Sequence, residues 1–398
     1  MSFRGDFEAL QRIGADPHGG WSRPGFSSAD IAAHDWFLAR GRAAGLAARY
    51  DGFGNAILRL EGDGRPALLL GSHLDTVPQG GAYDGATGVL AALEVLRRLQ
   101  AAGRPGAPVE AIAFRDEEGR FGSFTGSRAM AGLHTADGLA RAQDGEGTTL
   151  AAAVAQAGFV PANARRDWAQ VALYLELHIE QGPVLEQAGV PLGIVTAIAG
   201  QERLSIRFTG RADHAGTAPM ELRRDAFAGA ARFADAFRTL IRNDPDKALR
   251  GTIGVVKLLP NRGNVVPAEV TLGLEVRSSD ADTLRRLPDA ITAQAQTVAG
   301  EEGLGLRCRR LYSDAPVPMA ATLRDALARA AAGLGHATLD LPSGAGHDAG
   351  ILGRIVPAAM LFVPSRGGRS HCPEEATDLD QIEAAIDVLH AAVAGLRA

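Results

Sequence analysis

The sequence predicts an α/β protein in which one domain, a mostly parallel sheet flanked by helices, is interrupted by a smaller α+β domain of ferredoxin-like type. Two observations support this prediction. Apolar strand-like runs alternate with helical stretches in the first half of the chain and again after Pro316. Between them, from about Gly200, the pattern restarts as a strand-helix-strand-strand-helix-strand unit. We therefore expect a main domain of residues 1–199 and 316–398 and an inserted domain of residues 200–315.

The elements of the main domain follow from hydrophobic periodicity. Its predicted strands are the runs PALLLGSHLDTV, PVEAIAFRDEEG, VALYLELHIEQG and AAMLFVPS. Its predicted helices are SSADIAAHDWFLARGRAAG, TGVLAALEVLRRLQAAG, TLRDALARAAAGLG and DQIEAAIDVLHAAVAGL. In the first helix, Ser27 or Ser28 is placed to cap the amino end and Gly45 to end it.

The inserted domain has four predicted strands and two predicted helices. The strands are QERLSIRFTG, GTIGVVKLLPN, AEVTLGLEVRS and LGLRCRRLYSD. The helices are ELRRDAFAGAARFADAFRTLIRN and DADTLRRLPDAITAQAQTVAGEEG.

Composition narrows the class of partner. The net charge is only -5 over 398 residues and the basic residues are scattered, so neither nucleic acid nor an anionic membrane is an expected partner. No run approaches the ~20 apolar residues of a membrane span. With only two cysteines and no secretory pattern at the start, we expect a cytoplasmic protein that acts on a small molecule.

Histidines and acids cluster where the predicted strands end. His73 and Asp75 lie two apart, so in extended backbone they face the same side, and Asp75 could orient the His73 ring for a metal. A core histidine beside an incidental acid is the alternative. Asp84, among glycines before a helix, could bridge two cations or simply cap that helix.

Three consecutive acids, Asp116, Glu117 and Glu118, end the next strand. A cation would relieve their mutual repulsion, and since neighbours in extended chain point opposite ways, one of Glu117 and Glu118 would ligate while the other acts as general base. A solvated acidic turn is the alternative.

Two further histidines complete the pattern. His178 shares the polar face of an alternating strand with Glu176 and Glu180, as a half-exposed antiparallel strand would also show, and His371 follows a glycine-rich loop. His73, Asp84, Glu118, His178 and His371 all lie at or after the carboxyl ends of predicted strands, where open α/β sheets gather ligands. Mixed histidine and carboxylate ligation suits zinc, and also manganese, cobalt or nickel.

Seven segments resemble a known family over nearly the whole chain. They are GSHLDTVPQGGAYDGATGV, DEEGRFGSFTGSRAMAG, LELHIEQGPVLE, GRADHAGTAPMELRRDA, NVVPAEVTLGLEVRS, SGAGHDA and FVPSRGGRSHCPEE. Together they resemble the metal-dependent amidohydrolases of the M20 peptidase superfamily. The resemblance is to the branch of N-carbamoyl-L-amino acid hydrolases, β-ureidopropionases and allantoate amidohydrolases.

The resemblance implies a site with two divalent metal ions. Asp84 would bridge them, His73 and His178 would complete one coordination sphere, and Glu118 and His371 the other. Glu117 would be the catalytic base and Asp75 would support His73. Related M20 peptidases have a carboxylate where His178 stands, so this histidine favours the carbamoyl and ureido branch.

The resemblance also implies how substrate is held. His214 would donate to the oxyanion, in its own subunit or in a partner's site, and Arg277 would bind a substrate carboxylate with Asn264 and Gln181. His347 would line the site or serve a structural role. Glu275, where the family usually has Asp, Arg115 before the acidic run and Cys372 after the last ligand depart from the pattern. We expect these departures to affect pocket shape rather than chemistry.

The expected function is hydrolysis of an N-carbamoyl-L-amino acid to the L-amino acid, ammonia and carbon dioxide by a metal-activated water. The substrate would carry a carboxylate and a ureido or amide group, and the inserted domain would serve as lid and dimerisation domain of a homodimer. Allantoate hydrolysis is the close alternative, followed by β-ureidopropionase and N-acyl amino acid hydrolase activity. A non-catalytic, metal-dependent binding protein is the alternative of another class.

Overall fold

The computed structural model describes residues 2–103 and 106–397. Its strands are β1 (Ala47–Tyr50), β2 (Ala56–Leu60), β3 (Ala67–His73), β4 (Val109–Phe114), β5 (Val171–Ile179), β6 (Leu192–Ile198), β7 (Gly200–Thr209), β8 (Arg250–Leu259), β9 (Glu269–Ser278), β10 (Gly305–Asp314), β11 (Val317–Pro318), β12 (Thr338–Ser343) and β13 (Ala358–Val363). Its α-helices are α1 (Phe3–Leu10), α2 (Ser28–Ala43), α3 (Ala86–Ala102), α4 (Thr125–Met130), α5 (Ala136–Arg141), α6 (Leu150–Gln156), α7 (Val184–Ala188), α8 (Ala226–Asn243), α9 (Ala281–Glu301), α10 (Ala321–Gly333), α11 (Asp348–Leu352) and α12 (Leu379–Arg397).

The chain divides into two compact units. The first comprises Met1–Thr196, Met319–Leu341 and Ala345–Ala398, and the second comprises Ala197–Pro318 with Pro342–Gly344. The chain passes between units three residues before and three residues after the expected boundaries at 199/200 and 315/316. The reason is a short antiparallel pairing of Ala197 with Pro318 and Ile198 with Val317, which places these residues together in the second unit.

The main sheet has a parallel centre, which confirms the predicted fold class. In the first unit the strand order is β1-β2-β4-β3-β5-β13-β6. The neighbours β4, β3, β5 and β13 run parallel to one another, while β1, β2 and β6 pair antiparallel at the sides. The carboxyl ends of the four central strands therefore meet at one edge of the sheet.

The central strands are covered on both faces. Every residue of β3, β4 and β13 is buried, as expected for parallel strands between helices. Residues of α2, α3, α10 and α12 share one hydrophobic core with these strands. The amino end of α2 is capped by Ser27, whose hydroxyl accepts a hydrogen bond from the backbone N–H of Asp30, and Gly45 follows its end in the left-handed conformation.

The second unit is a four-stranded antiparallel sheet in the order β10-β7-β9-β8. Numbered within the unit, this is the 4-1-3-2 order of a ferredoxin-like fold, and the apolar side chains of one sheet face share a core with α8 and α9. Helix α8 begins at Ala226, five residues after the predicted start at Glu221. The side chain of Asp225 caps it by accepting the N–H groups of Phe227 and Ala228.

None of the described helices combines the length and the apolar character that a membrane span requires.

A buried ion pair ties α2 to the end of β4. The Arg115 guanidinium, wholly buried, donates to Asp30 Oδ2 at 2.6 Å, and the Phe26 N–H donates to the same oxygen at 2.7 Å. His34 Nδ1 lies 3.0 Å from the other carboxylate oxygen. Arg115, which departs from the family pattern, is therefore a core residue rather than part of a pocket wall. Burial raises the pKa of Asp30, but Arg115 and His34 outweigh it and hold that pKa below its ordinary value.

We expect Asp30→Asn to lower the free energy of unfolding by about 3–5 kcal/mol at pH 7, because it leaves the buried Arg115 charge unpaired. Since the folded pKa of Asp30 is lowered, the pair stabilises above the unfolded pKa of ~3.9 and loses its contribution as pH falls below it. The deficit of the variant should therefore shrink in acid. Denaturation at pH 7 and pH 3 measures both values.

The matched control is Asp235→Asn, which removes an exposed pair with Arg238. Exposed pairs contribute little, so this variant should unfold like the wild type. Equal losses for the two variants would contradict the role given to the buried pair.

Candidate metal centre

The ends of the central parallel strands bring five predicted ligands together within the first unit. His73 is the last residue of β3, Glu118 follows β4, and His178 is the penultimate residue of β5. His371 follows β13, and Asp84 lies in the loop between β3 and α3. Two groups of three result, His73–Asp84–His178 and Asp84–Glu118–His371, each with candidate ligand atoms within 4.8 Å of one another.

The Asp84 carboxylate belongs to both groups and faces them with different oxygens. Its Oδ1 lies 3.4 Å from His73 Nε2 and 3.1 Å from His178 Nε2. Its Oδ2 lies 3.5 Å from His371 Nε2, which in turn is 3.3 Å from Glu118 Oε2. A carboxylate shared in this way is the arrangement that bridges two cations. Helix α3 is capped by Gly85 without a side-chain hydrogen bond, so capping does not explain Asp84.

Backbone carbonyls fix the two buried histidines. His73 Nδ1 lies 3.0 Å from the Asp75 carbonyl oxygen, and His178 Nδ1 lies 2.9 Å from that of Ile179. A carbonyl only accepts, so each Nδ1 carries a proton, and Nε2, which faces Asp84, is the nitrogen left to bind a metal. This is the tautomer that a metal-binding histidine requires.

Asp75 supports the acidic turn as well as His73. One of its carboxylate oxygens accepts the N–H of Glu117 at 3.1 Å and the other accepts that of Glu118 at 3.0 Å. Its own Oδ1 is 3.5 Å from His73 Nδ1, farther than its carbonyl oxygen. Asp116 and Glu117 are buried, which excludes a solvated acidic turn.

Glu117 and Glu118 lie on different sides of the centre. Glu117 Oε2 is 3.7 Å from His73 Nε2, and Glu118 Oε2 is beside His371. Burial raises the pKa of Glu117 well above its ordinary value; His73 opposes this shift, and Glu118, Asp348 and Asp75 add to it. Burial and Asp84 raise the pKa of Glu118 to about 7.

These residues fit a pair of divalent metal ions. Nitrogen and carboxylate oxygen donors are the ligands of zinc and related metals. His178 Nε2 is buried and makes no hydrogen bond with any residue in the described part of the chain, as a nitrogen that awaits a metal would. A bound cation would also offset the free-energy cost of burying several carboxylates at the carboxyl ends of the central strands.

The polar face of β5 is buried rather than half-exposed. The strand lies between two parallel neighbours, β3 and β13, so the alternative of a half-exposed antiparallel strand is excluded. Glu176 on this face is held by the Ser72 hydroxyl at 2.8 Å, the Tyr174 hydroxyl at 3.2 Å and the Ala349 N–H at 3.0 Å. It forms a third group of possible ligands with His178 and His347.

Gln181 and His347 also lie at the centre. Gln181 Nε2 donates to Asp84 Oδ2 at 2.6 Å and is 3.5 Å from His371 Nε2. The His347 ring is buried with its centroid 4.5 Å from that of His178, roughly perpendicular to it. Burial and His178 hold the pKa of His347 well below its ordinary value, so the ring is neutral and packs as a wall of the centre.

Three residues in the loops that carry the predicted ligands have a left-handed backbone conformation. Asp116, Gln181 and His371 all have positive φ, of 55°, 59° and 57°. Such conformations are costly for residues with a side chain and persist where surrounding structure enforces them, often at functional sites.

The remaining predicted residues lie in the second unit. The His214–Ala215 backbone pairs with that of Asn264–Val265. His214 is exposed, and its Nδ1 accepts the Gly216 N–H at 3.0 Å, so in the neutral ring Nε2 carries the proton. Arg277 Nε donates to Glu275 Oε1 at 2.7 Å and its Nη1 donates to the Gly344 carbonyl at 3.0 Å. Glu275, longer than the usual Asp, therefore orients Arg277.

Sequence reasoning missed three polar residues of the first unit. Glu375 and Ser370 contact the Asp84 segment, and Asp348 is a wholly buried acid at the start of α11. All three stand in segments that carry the resemblance, next to or near a histidine. Their proximity to a histidine in the sequence is the signal that could have identified them.

A cleft of 520 Å³ adjoins the centre, within the range of small-molecule sites. Asp75 and Glu118 line it together with Thr76, Arg120 and Asp144.

The chain is similar to known proteins over most of its length. Residues 69–395 match the family described as peptidase family M20/M25/M40. The chain is 40% identical to the N-carbamoyl-L-amino acid amidohydrolase of Geobacillus stearothermophilus over 390 residues, 96% of this chain and 94% of the relative. It is 37% identical to the allantoate amidohydrolase of Bacillus subtilis (strain 168) over 392 residues, again 96% and 94%.

A solved structure shares the fold over the full length. The amidase of the hydantoinase/carbamoylase family from Burkholderia multivorans superimposes with a TM-score of 0.91 at 33% identity, covering 99% of this chain and 97% of that one.

We expect the wild type to bind two zinc ions per chain and His371→Ala to bind one. Loss of His371 leaves Asp84 and Glu118 on one side, whereas His73, His178 and Asp84 stay complete on the other. Elemental analysis after dialysis against zinc measures the stoichiometry. His18→Ala, an exposed histidine elsewhere in the first unit, should keep two ions. Two ions in both variants would contradict the assignment of His371.

Proposed function

The chain belongs to peptidase family M20/M25/M40, and from this premise we propose that it hydrolyses an N-carbamoyl-L-amino acid. One water adds to the ureido carbon and one of its C–N bonds breaks; the carbamate formed then loses carbon dioxide as its remaining C–N bond breaks, so that the L-amino acid, ammonia and carbon dioxide are released. Two divalent metal ions, zinc first among the candidates, would be held by His73, Asp84, Glu118, His178 and His371. The relative from Geobacillus stearothermophilus, which bears this activity in its name, supports this substrate class.

The observation that carries the proposal is the two-sided environment of Asp84. One carboxylate oxygen faces His73 and His178, and the other faces His371. Two metal ions held by these residues would supply a water with a near-neutral pKa and a positive charge that polarises the substrate carbonyl.

Glu117 is the proposed proton carrier. It lies beside His73 but in neither group of three possible ligands, and it is buried. Its carboxylate would take a proton from the attacking water and deliver it to the leaving nitrogen as the C–N bond breaks.

His214 would stabilise the negative oxygen of the tetrahedral intermediate. Because its Nδ1 accepts a backbone N–H, its Nε2–H is free to donate to such an oxygen. Asn264, on the paired backbone, would add a further polar contact to the substrate, as would Gln181.

Arg277 would bind the substrate carboxylate, and its surroundings favour an anion. Residues paired across the sheet share a face, so the face of β9 that carries Arg277 also carries Arg207 of β7, Arg307 of β10 and Lys257 of β8. These three side chains are exposed. Glu269, Glu275 and Asp314 share this face but are outnumbered by its basic residues, and this excess would attract a carboxylate-bearing substrate.

Allantoate is the second candidate substrate, because a relative named for its hydrolysis is 37% identical to this chain. It too carries a carboxylate for Arg277 and a ureido carbonyl.

We further propose a cytoplasmic homodimer that forms through the second unit. Strand β8 is an edge strand of its sheet, and Val255, Val256 and Leu259 are exposed on it. An apolar sheet edge of this kind suits pairing with a second copy.

Glu117→Gln should abolish turnover while keeping both metal ions. General-base catalysis contributes ~10²–10⁴-fold, so we expect kcat to fall by at least ~10². The assay is ammonia release from N-carbamoyl-L-amino acids, allantoate, N-carbamoyl-β-alanine and N-acyl amino acids, with added zinc, manganese or cobalt. Metal content is measured on the same samples.

The control is Glu8→Gln, a change to an exposed acid of α1 outside the cleft, which should leave kcat unchanged. Release from allantoate alone would replace the substrate assignment. No release from any compound by metal-loaded wild type would overturn the enzyme proposal in favour of a metal-dependent binding protein.

A further inference from the structure

We propose that Glu375 is a positioning residue that sets the orientation of the bridging Asp84 and joins its loop to the loop of His371. The inference rests on the metal centre of the proposed function. It assigns a role to a residue that is not itself among the five ligands.

The first support is the grip of Glu375 on the Asp84 backbone. Glu375 Oε1 accepts the N–H of Tyr83 at 2.9 Å and the N–H of Asp84 at 3.0 Å. These bonds hold the two successive peptide groups that precede the Cα atom of Asp84. The direction of the Asp84 carboxylate is thereby set through the backbone that precedes it.

The second support is the Ser370 hydroxyl, which lies between two carboxylates. Its Oγ is 2.7 Å from Glu375 Oε2 and 2.8 Å from Asp84 Oδ2. A hydroxyl has one proton, so it donates to one of them at a time, yet both lie within hydrogen-bond distance. Because Ser370 immediately precedes His371, this contact connects the two sides of the centre.

The third support is the space reserved for Glu375. A Cβ atom at Gly81 would lie 1.9 Å from Glu375 Oε1 and 2.0 Å from its Cδ. Only glycine at this position leaves room for the carboxylate. Glu375 is also buried, at 4% exposure, where a carboxylate is costly unless it is hydrogen-bonded.

The neighbouring Glu374 provides a matched comparison. It is exposed and pairs with Arg369 at 3.0 Å, on the surface of the same loop. The two glutamates thus share a loop and a chemistry but differ in whether they reach Asp84.

The experiment measures Zn²⁺ affinity by competition with a chelator, and the melting temperature of the metal-free protein. Mutation of a residue that orients a metal ligand typically lowers metal affinity by ~10–100-fold, so Glu375→Ala should raise the Kd for Zn²⁺ at least tenfold. Glu374→Ala should leave it unchanged. Glu375→Gln should restore most of the affinity, because its amide oxygen still accepts both N–H groups.

A second variant keeps the test independent of the Glu375 side chain. Gly81→Ala should weaken Zn²⁺ binding in the wild-type background by displacing Glu375. In the Glu375→Ala background the new methyl group has room, so the same change should cost nothing further. Such non-additivity is expected if Gly81→Ala acts through its contact with Glu375.

Wild-type affinity in Glu375→Ala would overturn the inference and leave the proposed function standing, provided the wild type binds Zn²⁺ and releases ammonia. Equal loss in Glu375→Gln and Glu375→Ala would also overturn it, because charge rather than hydrogen bonding would then be the cause. So would additive losses in the double variant. A wild type that binds no Zn²⁺ would overturn both proposals.

Discussion

The centre depends on one constraint, that the buried Asp84 carboxylate must face two sets of ligands at once. His73 and His178 lie on one oxygen and His371 on the other. Each of these histidines lies on a different segment of the chain, so Asp84 must be positioned accurately relative to all three. Several features elsewhere in the first unit are explained by this requirement.

The fold meets the constraint through four parallel strands whose carboxyl ends share one edge. Parallel pairing delivers His73, the acidic turn, His178 and the His371 loop to the same place. Accuracy then comes from the backbone: carbonyls orient the two buried histidines, Asp75 holds the amides of Glu117 and Glu118, and the loops accept positive φ. The Arg115–Asp30 pair holds the end of β4 against α2.

The sequence was sufficient for the architecture and for the ligand cluster, because both are encoded in local patterns. Alternation of strands and helices predicted the sheet, and histidines or acids at strand ends predicted the cluster. It was insufficient where long-range contacts decide. The Arg115 pairing depends on Asp30, 85 residues away, and Glu375 reaches back 291 residues to the Asp84 amide. The start of α8 at Ala226 depends on the cap by Asp225, which periodicity does not reveal.

The most direct test of this account is a crystal structure of the zinc-loaded protein with anomalous diffraction at the zinc edge. We expect two peaks per chain, one on each side of the Asp84 carboxylate and ~3.5–4 Å apart, with ligand atoms at ~2.0–2.2 Å. One peak should contact His73 and His178, and the other Glu118 and His371. A single peak, or peaks that Asp84 does not bridge, would contradict it.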